Sequence, residues 1–222
     1  MSILLKPDDA GRTLSEEEIS NQVVTLFLAG VETIASASGW ALCVLALRPE
    51  IQQRLHHEID TVLQGKLVEM EDLPKLPYTK GVILESLRMY PPGWLLTRMT
   101  TADVRLGDFD IPANTAIIYS PFLLGNQSGA FDEPDAFEPD RWGTQTLRLN
   151  AGSFVPFGDG PRKCIGDTFS MVEMAVMLTA IIARWRIEPR GTVLRPLERM
   201  SLLLTPRGLK VSLSARQPAT EK

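Results

Sequence analysis

Phe157-Gly158-Asp159-Gly160-Pro161-Arg162-Lys163-Cys164-Ile165-Gly166 is the stretch on which the reading of this chain turns. Its three glycines let the backbone take positive φ and come close to another group. Arg162 and Lys163 set positive charge beside a thiol. A helix starting just after Cys164 brings unsatisfied N–H groups toward the sulfur. All three features favour thiolate over thiol. With no second cysteine or histidine beside it, such a thiolate is a single axial metal ligand or a nucleophile; a buried structural cysteine is the third reading. A nucleophile needs a neighbouring base. The two histidines of the chain, His56 and His57, are adjacent on what reads as an ordinary surface helix.

The rest of the chain bounds the choice. It has 222 residues, 44% hydrophobic and 23% charged, with 16 glycines and 16 prolines. That composition excludes disorder, collagen-like repeats and coiled coil as the main class. Lys plus Arg is 23 against 27 for Asp plus Glu, a net charge of −4, so no basic excess argues for nucleic acid. The longest mostly apolar runs, residues 23–31 and 174–183, fall short of the roughly 18 residues that span a bilayer, so no membrane segment is expected. Residues 1–6 lack a signal-peptide core. Cys43 and Cys164 are too few for a disulfide framework or a Cys-rich zinc site. The expected location is the cytoplasm.

Working outward, Ser15-Glu16-Glu17-Glu18 reads as a capped helix start, and the helical pattern runs to Leu47, where Arg48-Pro49 stops it. This is a helix of roughly 30 residues, about 45 Å at about 1.5 Å per residue. From Val23 on it is apolar on nearly every side, which predicts burial all round in the middle of the domain. Pro49–Leu63 is a second helix with Ile51, Leu55, Ile59 and Val62 as its buried stripe and Gly65 as its stop. A short segment near residues 70–73 precedes a third helix, Pro77–Met89, closed by Pro91-Pro92. Residues 97–106, 109–112 and 115–119 read as strands, with a hairpin at Gly107-Asp108. Residues 131–142 are irregular, 150–166 form a structured loop, 167–185 a last amphipathic helix and 192–214 closing strands. Residues 217–222 read as a frayed tail. The fold class expected is mainly α with small β-sheets.

Two further motifs carry information. Glu85-Ser86-Leu87-Arg88 places an acid and a base at i, i+3 on one helix face. Alone it reads as a solvated surface pair. Ala29-Gly30-Val31-Glu32-Thr33 lies mid-way along the long helix. Gly30 costs roughly 1 kcal/mol there relative to Ala. Glu32 is a carboxylate among apolar residues, and Thr33 can bond the carbonyl of Ala29 and loosen the helix. A functional site and a tolerated kink both fit this stretch.

The Cys164 stretch resembles the haem-binding loop of the cytochromes P450, Phe-x-x-Gly-x-Arg-x-Cys-x-Gly, and every fixed position is met. The resemblance implies that Cys164 is the proximal ligand of the iron of haem b, with Phe157 near the sulfur, Arg162 on a propionate, and Gly158 and Gly166 among the cofactor-binding residues. Ala29 to Thr33 is similar to the family's oxygen-binding signature. That implies a dioxygen pocket at Ala29 and Gly30 and proton delivery through Glu32 and Thr33; Ile34 stands where many members have a second Thr. Glu85 and Arg88 match the family's buried Glu-x-x-Arg pair, completed by Arg141 in Pro139-Asp140-Arg141, where Asp140 replaces the more common Glu. Arg98 matches a second propionate arginine. Trp94, Leu95 and Leu96 fall at the substrate pocket. Gly125-Asn126 stands where many members have His-Arg, so the resemblance carries no propionate contact over to that position.

The resemblance runs from about Leu14 to Leu213 and covers the C-terminal half of a P450. It implies a single haem-thiolate domain over residues 1–222 without the family's N-terminal half, from a truncated product, a fragment or a misassigned start. The activity implied is monooxygenation: two electrons from a ferredoxin or flavoprotein donor, dioxygen, and one oxygen atom inserted into a small apolar organic substrate. Residues 94–98 and 32–36 resemble bacterial members that oxidise terpenes. A truncated, inactive haem-binding or interaction fragment is the alternative. A third reading is an enzyme that rearranges oxygenated substrates without a reductase, against which Glu32 and Thr33 argue. For the 222 residues alone, part of the long helix is expected to stay exposed, with poor haem retention.

Overall fold

A computed structural model describes residues 4–7, 11–143, 152–191 and 197–216, the side chains of 197 and 198 excepted. Helix α1 is Glu16–Leu47. Its start is a reciprocal cap: Ser15 Oγ accepts from the Glu18 N–H (3.2 Å) and the Glu18 carboxylate accepts from the Ser15 N–H (2.8 Å). Helix α2 (Pro49–Leu63) ends on Gln64 and Gly65, both at positive φ. A 3₁₀ segment, Met70–Lys75, leads to α3 (Pro77–Met89). Strands β1 (Leu96–Met99), β2 (Val104–Leu106), β3 (Phe109–Ile111) and β4 (Ala116–Tyr119) follow, then the short α4 (Pro121–Gly125). A 3₁₀ turn, Pro139–Trp142, and a second, Gly160–Arg162, precede α5 (Asp167–Arg184). The described chain closes with β5 (Trp185–Arg190), β6 (Leu197–Met200), β7 (Leu204–Arg207) and β8 (Lys210–Ala215).

The sheets are antiparallel pairs: β1 with β4, β2 with β3, β5 with β8, and β6 with β7. The hairpin at Gly107-Asp108 joins β2 to β3 as expected, with Gly107 at φ 59°. The expected strand over residues 97–106 is two strands instead. The chain turns at Thr100, whose Oγ1 donates to the Pro112 carbonyl (2.7 Å) while Asp103 accepts from the Ala113 N–H (2.8 Å). Trp185 begins β5 rather than ending α5, and α4 was not anticipated, being only five residues long. Of the expected closing strands, residues 192–196 lie outside the described residues, as does the tail at 217–222.

The core forms where α2 (Ile51, Leu55, Ile59), α3 (Val82, Ile83, Leu87) and α5 (Met174, Leu178, Ile182) meet Ile187 and the end of α1. Gln52 closes the polar gap in it. Its Nε2 donates to the carbonyls of Leu45 and Ile187 (both 2.9 Å), and its Oε1 accepts from the Ile187 N–H (2.8 Å). His56 is buried rather than on the surface, with Nε2 3.4 Å from the Trp185 carbonyl; burial holds its pKa below the usual imidazole range.

The expectation that α1 is buried all round holds for its second half only. Ser36, Ala37, Trp40, Ala41 and Leu45 are buried, whereas Phe27 and Leu28 are 68% and 64% exposed. Ile34 is the first apolar residue of the helix to pack against the core, and full burial begins at Ser36. Ser36 Oγ (2.6 Å) and Trp40 Nε1 (2.9 Å) both donate to the Leu204 carbonyl, and Trp40 stacks on Tyr90 at 4.1 Å. By length and composition α1 reaches what a membrane crossing requires, against the short runs counted from sequence. Its buried second half belongs to the core just described.

Candidate functional site

The Cys164 loop is held by its own backbone. Gly158 and Gly160 take φ of 71° and 69°, which a side chain would strain. The Gly158 N–H donates to the Val155 carbonyl (3.0 Å), the Lys163 N–H to Gly160 (3.0 Å) and the Cys164 N–H to Phe157 (2.9 Å). Asp159 accepts from the Gly160 N–H (2.7 Å). Phe154 and Phe157 pack against the core, so the loop is anchored at its base while Cys164 is exposed at its tip. Next to it, Ile165 and Phe169 are 88% and 67% exposed.

The charges divide. Lys163 pairs with Asp167 at 2.5 Å. The hydrogen bond raises the lysine pKa, and with the Thr168 N–H it lowers that of the carboxylate. The positive charge that the sequence sets at Lys163 is therefore balanced by Asp167. Arg162 is exposed and makes no ion pair or hydrogen bond among the described residues. Gly166 caps α5 without a side chain, and the N–H groups of Ile165, Gly166 and Asp167 have no acceptor among the described residues. The loop thus leaves an exposed thiol, a helix start and a guanidinium open together.

Arg98 lies beside this loop. It donates to the Thr97 carbonyl (2.9 Å) and its guanidinium stands 5.5 Å from the Tyr119 ring centre. A cavity of about 420 Å³ is lined by Arg98, Tyr119, Leu124, Val155, Asp159 and Gly160, among others. A Cβ on Gly158 would reach Tyr119 Oη and Leu96 at 3.6 and 3.7 Å. So β1, β4 and the cysteine loop wall one space. Trp94, half-buried, donates from Nε1 to the Ser201 carbonyl (2.9 Å), and Leu95 is exposed beside it. This ties the segment before β1 to the turn between β6 and β7.

Glu85, Arg88 and Arg141 meet. Glu85 and Arg88 have fully buried side chains and Arg141 is nearly buried. Arg88 donates to Glu85 from Nε (2.9 Å) and an Nη (2.8 Å), and Arg141 from Nε (3.2 Å). Arg88 also donates to the carbonyls of Gly125, Pro134 and Ala136. The surface-pair reading of Glu85 and Arg88 is therefore replaced by a closed network. Asp140 stays out of it and pairs with Arg54 at 2.6 and 2.7 Å, which lowers its pKa. Gly125, to which no propionate contact carries over, has a distinct role. A Cβ there would collide with the Arg88 carbonyl oxygen.

The sequence reading missed Trp142, whose Nε1 donates to Glu85 (2.8 Å), and Glu58, whose carboxylate accepts from the Tyr78 and Thr79 N–H groups (2.6 and 2.8 Å) at the start of α3. Glu58 lies 20 residues from its partner, beyond any local motif. Trp142 directly follows Arg141, which was the available signal.

Ala29, Gly30, Glu32 and Thr33 lie around the middle of α1, ahead of its buried part. Ala29 and Glu32 are exposed, Gly30 and Thr33 half-buried. Thr33 Oγ1 donates to the Ala29 carbonyl (2.6 Å) as expected, and the helix continues unbroken through it. Cys43 is half-buried, and burial pushes its pKa up to about 11. Among the described residues no cluster of His, Cys, Asp and Glu can hold a metal ion. A single-thiolate site is outside that pattern.

Comparison with known proteins agrees with this layout. The chain is 45% identical over 201 residues to cyclooctatin synthase of Streptomyces melanosporofaciens, covering 90% of this chain and 44% of that protein. It is 41% identical over 220 residues to pentalenene oxygenase of Streptomyces avermitilis, covering 98% and 49%. It superposes on a crystallised cytochrome P450 with a TM-score of 0.86 at 29% identity, over 93% of this chain and 47% of that one. The chain thus spans about half the length of the curated relatives it matches. The cytochrome P450 family model matches residues 1–213, and with that match the chain belongs to the cytochrome P450 family.

Proposed function

We propose that these residues form the haem-binding half of a haem-thiolate monooxygenase acting on a small apolar organic substrate of the terpenoid class. The observation that carries this reading is the Cys164 tip: an exposed thiol on a backbone-held glycine loop, at an uncapped helix start, beside an unpaired Arg162. A large, apolar, anionic disc fits that donor set. One thiolate would ligate its metal, Ile165 and Phe169 offer apolar surface, and Arg98 and Arg162 offer cations for its carboxylates. The terpenoid class is supported by the names of the two Streptomyces relatives.

Haem b, when bound, supplies reductive activation of dioxygen and transfer of one of its oxygen atoms to the substrate. The chain's residues do the rest. With that group bound, Cys164 would supply thiolate electron density, and the open N–H groups at 165–167 would be the donors available to tune it. Ala29 and Gly30 leave room for dioxygen on α1. Thr33 holds its hydroxyl proton on the Ala29 carbonyl at 2.6 Å, from where rotation frees it for proton delivery, with Glu32 as the exposed relay to water. Trp94 and Leu95 border the substrate. Electrons come from a ferredoxin or flavoprotein, and the location is cytoplasmic.

One observation favours a second reading for the 222 residues by themselves. Val24, Phe27, Leu28 and Val31 make an exposed apolar run on α1 next to the dioxygen stretch. Monooxygenation needs a water-limited pocket, and the relatives carry as much chain again outside the matched part. Without cover of that kind the chain is a haem-binding fragment with little coupled turnover. The absorption spectrum of the reduced, CO-bound protein after haem reconstitution tests the first point: a thiolate-type band is expected, and its absence rejects Cys164 as ligand. Product formed per electron consumed then separates a working enzyme from a fragment.

A further inference from the structure

The carboxylate of Glu85 is surrounded by more donors than the two arginines provide. Besides Arg88 and Arg141, the Glu138 N–H (3.0 Å) and Trp142 Nε1 (2.8 Å) donate to it. Arg88 and Arg141 also reach backbone carbonyls, but Trp142 is the member of this shell whose ring meets Phe154. Its ring packs on Phe154 with centres 4.5 Å apart and planes at 49°, and on Phe131 at 6.4 Å. Phe131 in turn lies under the guanidinium groups of Arg88 and Arg141, at 5.1 and 5.8 Å. Phe154 opens the segment that ends at Cys164. From it, two backbone hydrogen bonds lead to the thiol: Gly158 N–H to the Val155 carbonyl, and Cys164 N–H to the Phe157 carbonyl.

We propose that Trp142 is a positioning residue that ties the buried carboxylate of Glu85 to the Cys164 loop, its N–H fixed on Glu85 and its ring on Phe154. The physical basis is that the two contacts use different parts of one rigid side chain. An indole has only two torsions, so an N–H held by a buried charge fixes the ring plane, and the ring plane sets where Phe154 can sit. A hydrogen bond to a charged acceptor is worth roughly tenfold or more in the equilibrium it supports. The relevance to catalysis rests on the reading of Cys164 as haem ligand; the structural coupling does not.

The test is Trp142→Phe in the whole chain, which keeps a ring against Phe154 and removes the N–H. Amide hydrogen exchange of the haem-free protein should be about tenfold faster at Gly158 and Cys164, while Leu55 and Ile59 in α2 keep their rates. Unchanged rates at Gly158 and Cys164, or an equal acceleration in α2, overturn the proposal, because a purely structural tryptophan would loosen the chain uniformly or not at all. If Trp142→Phe does not fold, Phe154→Leu cuts the link on its other side and must give the same selective pattern. Titration with hemin is the second arm: about tenfold weaker binding and a smaller thiolate-type fraction in the reduced, CO-bound spectrum are expected of the variant. Wild-type binding and a full thiolate signature would overturn the proposal. Selective acceleration in Trp142→Phe, together with a wild-type protein that takes up no hemin, would support the role of Trp142 while rejecting Cys164 as haem ligand.

Discussion

The Glu85 network and the Cys164 loop are built from the same kinds of group and treat them in opposite ways. In the network every charge is answered inside the protein: Glu85 receives two arginines, a backbone N–H and an indole, and Arg88 spends its other donors on three carbonyls. In the loop, backbone groups are paired at the base while the thiol, Arg162 and the helix start are left open. A cluster that closes on itself holds structure, and one that keeps valences free is made to be completed by something else. The difference is one of satisfaction, not of residue type.

That contrast can be broken most forcefully at Glu85. Glu85→Ala leaves Arg88 buried and uncompensated, at a cost of about 3–5 kcal/mol; urea denaturation should show most of the stability lost, or the protein should be insoluble. A soluble variant of near wild-type stability would mean the network is not the closed unit described. Next in size is Gly125→Ala. The new Cβ would press on the Arg88 carbonyl, and the overpacking should cost roughly 1–3 kcal/mol by the same measurement.

A smaller effect comes from His56, outside both regions. Its folded pKa lies below the ordinary 6.5, first through burial and then through Arg216. Above pH 6.5 both states hold it neutral and its burial costs nothing. As pH falls below 6.5 the unfolded state takes up the proton first, so stability declines toward the lower, folded pKa. His56→Gln should flatten that part of the stability–pH curve.

The smallest effect on stability sharpens the contrast from the other side. Cys164→Ala should change the unfolding free energy of the haem-free chain by no more than about 0.5 kcal/mol, since the side chain is exposed. The thiolate-type spectrum should nevertheless disappear. Large destabilisation by this substitution would place Cys164 in the scaffold.

Local rules were enough for much of this. The Ser15 cap, the stop at Gln64 and Gly65 and the Gly107 hairpin each depend on residues within a few positions of one another. The shape of the Cys164 loop was legible for the same reason: its glycines, its cysteine and the helix start lie within ten residues. The i, i+3 placement of Glu85 and Arg88 was legible too, although whether the pair faces water or core was not a local matter.

Burial and partnership were decided only by the tertiary structure. From Val23 on helix α1 reads as apolar on nearly every side, yet Trp40 is buried because Leu204 and Tyr90 come from far along the chain to meet it, and Phe27 is exposed because no described element does. His56 and His57 are neighbours in sequence and opposite in environment: His56 is buried against the Trp185 carbonyl of β5 and His57 is exposed. Trp142 and Glu58 find their partners 57 and 20 residues away. Short-range geometry sets which residues form a helix, a turn or a glycine loop. Long-range packing sets the solvent exposure of each charge and ring, and with it their energy, because burial depends on what the remainder of the chain brings alongside.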